Sequence, residues 1–285
     1  MHVPEFARLS DAVTLVLGLN PGEMTLDGTN CYLVGTGRSR ILIDTGQGVD
    51  RFLPHLRDCL TRTGVSEISL ILITHSNQSR HFDHTLGIPQ VLEAVNSTNV
   101  PIYKHIPTGE DMPDFYSCKN ISDGDRFSVP GATLRAVLSP GHTTDHCCFV
   151  LEEEKSLFTG DCVLGAGTAV FENLKVYLSS LSLLRKLDIQ RCYPGHGPVL
   201  EDGKTVIREY IEHRIAREAQ IIQVLQSDLK HWWTALDIVK VIYKQYPEKL
   251  WPAAEKGVLL HLGKLEEDGK VQHDGAHWRI SGASL

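Results

Sequence analysis

A chain of 285 residues, 42% hydrophobic and 22% charged, is long enough to bury a sizeable core and has the composition of a soluble globular protein: two ordinary domains, or one large α/β domain with an appendage. No uninterrupted apolar run approaches the roughly 20 residues that span a bilayer, which excludes a membrane protein at this level. The formal net charge of −7 repels a polyanion in bulk, so nucleic-acid binding would need a local basic stripe or bound cations.

The opening MHVPEFARLSDAV has neither the layout of a secretory signal nor that of a strong transit peptide, so the cytoplasm is the expected compartment and the mitochondrial matrix the alternative. The seven cysteines include no CxxC pair, which argues against a disulfide framework and a thiolate zinc knuckle. The first 45 residues alternate β-like runs with turn signals, VTLVLGL, NPGEMTLDGTN, CYLVGTG and RSRILIDTG, a pattern of antiparallel β. Val49, Phe52, Leu53, Leu56 and Leu60 fall at helical spacing and lead into ISLILIT, a buried strand that ends at His75. Next come a helix near 87–96, a strand at VPIYKH and a loop through DMPDFYSCKN. A hairpin of DRFSVPG and ATLRAVLSP then closes on Pro140-Gly141-His142. HCCFVLEEE and KSLFTGD are strands, the second finishing on Asp161; a helix around 173–187 then leads to the short strand RCYPGHG with His196. From about 203 the pattern is helical: a long amphipathic stretch over 205–226, then LDIVKVIYKQY and PAAEKGVLLHLGKLEED, before GKVQHDGAHWRI as a small hairpin. Three helices and a hairpin predict a winged-helix-like cap, with domains at 1–203 and 204–285.

His75, His142, Asp161 and His196 all fall at predicted strand ends, where a rigid scaffold aims side chains from loops into one cleft. Imidazole with carboxylate is the donor set a divalent ion such as zinc takes when it keeps an open position for water. The spacing His81-x-Asp83-His84 cannot place three side chains on one face of a strand, but a turn at a helix start can splay them toward two adjacent ions. His105, His213, His231 and His261 stand apart and are read as structural. The helix over 205–226 is read as a packing helix, with Arg208, Arg214 and Arg217 as a basic stripe.

The order T-H…H-x-D-H, P-G-H, T-G-D, Y-P-G-H-G resembles the metallo-β-lactamase-fold superfamily over roughly residues 12–200. That resemblance implies an α/β fold, an αββα sandwich binding two metals at one edge. By position it implies His75, His81 and His142 for the first ion, Asp83, His84 and His196 for the second, and Asp161 bridging. Asp83 and Asp161 are the candidate catalytic residues, and Asp44 resembles a carboxylate that orients a ligand histidine from behind. Asp145 and His146 take structural positions, and GTN at 28–30 resembles a turn near the active edge, although a plain β-turn explains it nearly as well. The implied cofactor is a pair of Zn2+ ions, which ionise water near neutral pH without a serine or cysteine nucleophile. One feature departs from the pattern. The family has a single residue between the first two histidines, where this chain has SNQSR. As an outward bulge the insert costs on the order of 1 kcal/mol of closure entropy and His75 still reaches its ion; as a displacement it leaves the first ion only His81, His142 and Asp161.

The phrases NPG-MTL-GTN, ILIDTG, GTAVFE, YPGHGPV and I-EYI-HR-ARE are similar to one branch over nearly the whole chain. That branch holds fungal polyketide acyl-carrier-protein thioesterases of the atrochrysone carboxyl type and the animal beta-lactamase-like protein 2 endoribonucleases. The first expectation is a thioesterase acting on an acyl-carrier protein or acyl thioester, because a thiolate, with a free pKa of about 8.5, departs without strong protonation. The alternative is an endoribonuclease cutting single-stranded RNA, which must stabilise an alkoxide and follow a backbone. A lesser alternative is a binding scaffold whose metal site the insert has impaired.

Overall fold

The computed structural model describes residues 2–76, 81–109 and 117–282. Among them, β1 (Phe6–Arg8), β2 (Val13–Leu17), β3 (Asn30–Val34) and β4 (Ser39–Ile43) pair antiparallel in chain order. From β4 the sheet continues in parallel through β5 (Glu67–Ile73), β6 (Ile102–Lys104) and β7 (Cys118–Asn120). Parallel neighbours need crossovers, and α1 (Phe52–Thr63) and α2 (Ile88–Ala94) supply two of them. A second sheet has the order β12-β11-β10-β9-β8, built from β8 (Arg126–Val129), β9 (Ala132–Leu138), β10 (Cys147–Leu151), β11 (Ser156–Gly160) and β12 (Arg191–Pro194). Its one parallel pair, β11 with β12, is joined through α3 (Leu174–Leu184).

Strand alternation makes the layers. Val13, Leu15, Leu17, Tyr32, Val34, Ile41 and Ile43 pack against Leu134, Ala136, Phe149, Phe158 and Tyr193 of the second sheet. The residues between them, Val16, Cys31, Leu33 and Leu42, face Phe52, Leu56, Ile88 and Val91 of α1 and α2. On the far side Val137, Cys148, Val150 and Leu157 meet Leu174, Tyr177 and Leu181 of α3. A strand buried on both faces reads as a nearly continuous apolar run with two destinations, and the result is four layers, helix, sheet, sheet, helix.

The remaining elements are α4 (Gly203–Ser227), β13 (Trp233–Thr234), α5 (Ala235–Ile242), α6 (Trp251–Glu267), β14 (Val271–Asp274) and β15 (His277–Ile280). The Asp202 side chain caps α4 by accepting the Thr205 N–H, and Thr234 with Asp237 forms a capping box on α5, each such cap contributing about 1 kcal/mol. The helix α4 serves two cores. Its Ile207 and Ile211 join the α3 cluster, while Ile221, Val224 and Leu225 pack with Ile238, Val239, Leu262, Leu265 and Trp278 of the cap. Three short strands differ from the sequence expectation. β1 and β13 had no signal, and β7 falls in the stretch expected to be loop, because two or three residues are too few to display alternation; residues 110–116 of that stretch lie outside the described ones. Among the described residues no helix is long and apolar enough to cross a membrane.

Candidate metal centre

Parallel strands deliver their C-terminal ends to the same edge, and this fold does so in both sheets. β4 runs into Asp44, β5 into Thr74 and His75, β11 into Asp161 and β12 into His196. His142 sits on the turn between β9 and β10, and a single 3-10 turn, Phe82–His84, carries Asp83 and His84. These loops bring the donor atoms of His75, His81, His142 and Asp161 within 4.8 Å of one another, and those of Asp83, His84 and His196 likewise; either group could hold a metal ion.

Asp161 lies between the groups with one oxygen toward each. Its Oδ2 is 3.8 Å from Nε2 of both His75 and His142, and its Oδ1 is 3.7 Å from His84 Nε2 and 3.4 Å from His196 Nε2. Asp83 Oδ2 completes the second group at 3.3 Å from His84 Nε2 and 3.1 Å from His196 Nε2. Only glycine fits at 195, since a Cβ there would run into Asp161 Oδ1.

A layer behind the groups fixes each ring. His84 Nδ1–H donates to Asp44 Oδ2 at 2.8 Å, and Asp44 also accepts the Thr74 N–H at 2.9 Å and its hydroxyl at 2.8 Å. The Thr74 oxygen in turn accepts from His75 Nδ1–H at 3.0 Å. His142 Nδ1–H donates to the Val170 carbonyl at 2.6 Å and His196 Nδ1–H to the Gly28 carbonyl at 3.3 Å. With Nδ1 committed, each of these four rings turns its Nε2 inward. Those of His75 and His142 are 3.2 Å apart, and His84 Nε2 and Asp161 Oδ1 are buried with no hydrogen-bond partner. Facing imidazole nitrogens and buried polar atoms without hydrogen-bond partners are costly unless a cation takes them, so the donor set fits metal ions. Asp44→Ala, which strips the acceptor from His84 Nδ1, is expected to weaken metal binding about 10–100-fold; chelator competition measures it, and unchanged affinity would remove Asp44 from this role.

The groups differ electrostatically. Burial, with His84 and His142 nearby, holds His75 well below its ordinary pKa of 6.5; burial likewise lowers His81 and takes His142 to about 4. In the second group burial is outweighed. Asp161 and Asp83 raise His196 to about 9, and Asp83, Asp44 and Asp161 hold His84 well above its usual value. His84 and His196 return the effect, keeping Asp83 and Asp161 below the usual carboxylate range despite their burial.

All seven donors named from the sequence thus converge, with Asp44 behind them. Residues 77–80 of the insert lie outside the described ones, but His75 has its ring 4.6 Å from that of His81 and 4.8 Å from that of His142. A displacement of His75 by the insert is therefore not what the structure holds. His105, His213, His231 and His261 belong to neither group. His146 is structural as expected: its Nε2 accepts the Asp161 N–H at 3.2 Å and its Nδ1–H meets Ser139 Oγ at 2.9 Å. Asp145 pairs with the buried Lys104 at 2.6 Å and accepts the Ser76 N–H at 2.8 Å, anchoring the chain just after His75. The GTN turn is more than a turn. Thr29 Oγ1–H donates to Asp83 Oδ2 at 3.1 Å, and Asn30 Nδ2 donates to the carbonyls of Pro194 and Gly197 at 2.9 and 2.8 Å, tying down the His196 loop. Thr29, Asn30 and Lys104 were not named as site residues; a polar pair opening an apolar strand, and a lysine ending one, are the traces they leave in sequence.

Comparison with known proteins adds the following. The family model Metallo-beta-lactamase superfamily matches residues 24–196, and Beta-lactamase associated winged helix domain matches 234–278. The Beta-lactamase-like protein 2 homolog of Caenorhabditis elegans is 42% identical over 274 residues, 95% of this chain and 90% of that protein. The Lactamase-like protein nscB of Trichophyton equinum is 41% identical over 281 residues, 94% of this chain and 81% of that one. A crystal structure of a metallo-beta-lactamase family protein from Thermus thermophilus has a TM-score of 0.73 at 23% identity, covering 96% of this chain and 100% of its own, a likeness of fold.

Proposed function

Because this chain belongs to the metallo-beta-lactamase superfamily, we propose that it is a hydrolase carrying two zinc ions that cuts phosphodiester bonds in single-stranded RNA. The observation that carries this reading is the division of Asp161, one oxygen toward each imidazole group. His75, His81 and His142 would hold one ion, Asp83, His84 and His196 the other, and Asp161 both. When bound, such a pair lowers the pKa of water toward neutrality and offsets charge on attacking and leaving oxygens. Asp83, kept ionised by His84 and His196 and steadied by Thr29, would serve as an anionic donor to the second ion and as an acceptor beside it. Asp44, Thr74 and the Val170 and Gly28 carbonyls keep the imidazoles aimed without reorganisation.

Two considerations put RNA ahead of the thioester that leaving-group chemistry and net charge favoured. The branch resemblance combines with similarity to the beta-lactamase-like protein 2 homologs that covers 90% and 93% of those proteins, against 81% of the Trichophyton equinum nscB protein at nearly equal identity. Two complete donor groups on one carboxylate also suit an alkoxide leaving group, which needs a cation far more than a thiolate does. The second reading, an acyl-carrier-protein thioesterase, is favoured by exposed apolar side chains flanking the donors, Phe82, Leu86 and Val170, a rim suited to an acyl chain. A metal-impaired scaffold has no comparable support, since no donor is missing.

The test is a parallel assay of the zinc-loaded chain on a labelled single-stranded RNA and on a model acyl thioester, with and without a chelator. Expected are two equivalents of zinc and RNA cleavage that a chelator abolishes and zinc restores. Chelator-sensitive thioester turnover without RNA cleavage would reverse the order of the two readings, and a chain that binds no metal would sink both.

A further inference from the structure

The helix α4 reaches the metal centre through Arg214. Burying an arginine is unfavourable unless its donors are used, yet Arg214 is only 9% exposed. Its Nη2 donates to the Ala169 carbonyl at 2.9 Å, and its guanidinium lies over the Phe171 ring at 4.7 Å. One turn earlier the Tyr210 hydroxyl accepts the Leu164 N–H at 3.2 Å and lies 3.3 Å from the Gly167 carbonyl. Both side chains therefore grip the same segment, 164–171. The opposite side of that segment is held by the His142 turn. The Val170 carbonyl accepts from His142 Nδ1–H at 2.6 Å, and the Glu172 N–H donates to the Gly141 carbonyl at 2.8 Å. Gly141, at φ 125, packs against the Tyr177 backbone where no Cβ fits, so the turn cannot retreat.

We propose that Arg214 is a positioning residue for His142, clamping the peptide before Val170 so that the Val170 carbonyl keeps the imidazole turned with Nε2 toward Asp161. The inference rests on the dinuclear reading above and names the part of the C-terminal region on which that site depends. The planar fork of arginine can bond the Ala169 carbonyl and stack on Phe171 at once, which a lysine cannot do. The stripe expected from sequence is thereby dissolved. Arg208 is exposed beside Glu212 at 3.7 Å, Arg217 stacks on Tyr243 at 4.3 Å, and only Arg214 turns toward the centre.

The experiment is the affinity of each of the two zinc ions, by competition with a chromophoric chelator, for the full chain and for Arg214→Met, Arg214→Lys and Tyr210→Phe, each with a thermal melt. Arg214→Met, which keeps the packing volume, is expected to weaken one ion about 10–100-fold, as loss of a ligand's supporting partner does, and to leave the other within about twofold. Arg214→Lys should recover part of the loss, and Tyr210→Phe should weaken the same ion to a smaller degree. Both ions weakened equally alongside a lowered melting temperature, or neither weakened, would overturn the proposal. If Arg214→Met does not fold, the lysine and Tyr210→Phe variants decide by the same criterion. Fewer than two ions on the unaltered chain would instead overturn the dinuclear reading, so the two failures are told apart by the control.

Discussion

Asp161→Asn is expected to lower hydrolysis by at least about a thousandfold, the order seen when one member of a cooperating catalytic unit is removed, and to reduce bound zinc from two equivalents to one or none. The substitution is nearly isosteric, so the close approach of Gly195 to Oδ1 is preserved. What changes is charge and direction. One of the two oxygens becomes an NH2 donor, and whichever way the amide turns, a donor then faces an imidazole group that now faces an acceptor. The second group suffers doubly, since Asp161 is among the carboxylates that sustain the cationic state of His84 and His196 in the metal-free fold. Metal analysis and kcat at saturating zinc check the expectation. Retention of both ions with activity within about tenfold of the parent would mean that Asp161 does not bridge.

The layers and the donors were legible for different reasons. Val13, Leu15 and Leu17, with Thr14 and Val16 between them, form a nearly continuous buried run, so the strands announce themselves, and histidines directly after such runs must emerge at sheet edges. Convergence of His75, His142, Asp161 and His196 followed from the order of the motifs and their family resemblance; periodicity alone could not have brought them to one place. Supporting contacts were illegible because they join distant segments: Asn30 bonds Pro194 and Gly197, 164 and 167 residues away. Arg214 misled for a related reason. Three arginines on one helix suggest a stripe, but positions 208 and 214 are six residues apart, about 240° around the axis, and only the packing partner decides which of them is buried.

A second large effect is expected in how pH acts on the two binding steps. In the metal-free protein His142 is lowered to about 4 and His75 lies well below 6.5, so these two rings are already neutral near pH 6; with His81 also lowered, the first group's affinity should vary little from there to pH 8. His196, raised to about 9, and His84, raised well above 6.5, hold protons over the same range, and an ion must displace them. Below the pKa of such a ring, affinity falls about tenfold per pH unit for each proton displaced. Going from pH 8 to pH 6 should therefore cost the second ion about 100-fold through His196 alone, and more through His84. Hydrolysis should fail on the acid side while one ion is still bound. Calorimetric titration in buffers of different ionisation enthalpy counts the protons directly, with at least one released at the weaker step and close to none at the tighter. Equal proton release at both steps would show that Asp44, Asp83 and Asp161 do not divide the centre into a neutral and a protonated half, and the acid limb would then need another cause.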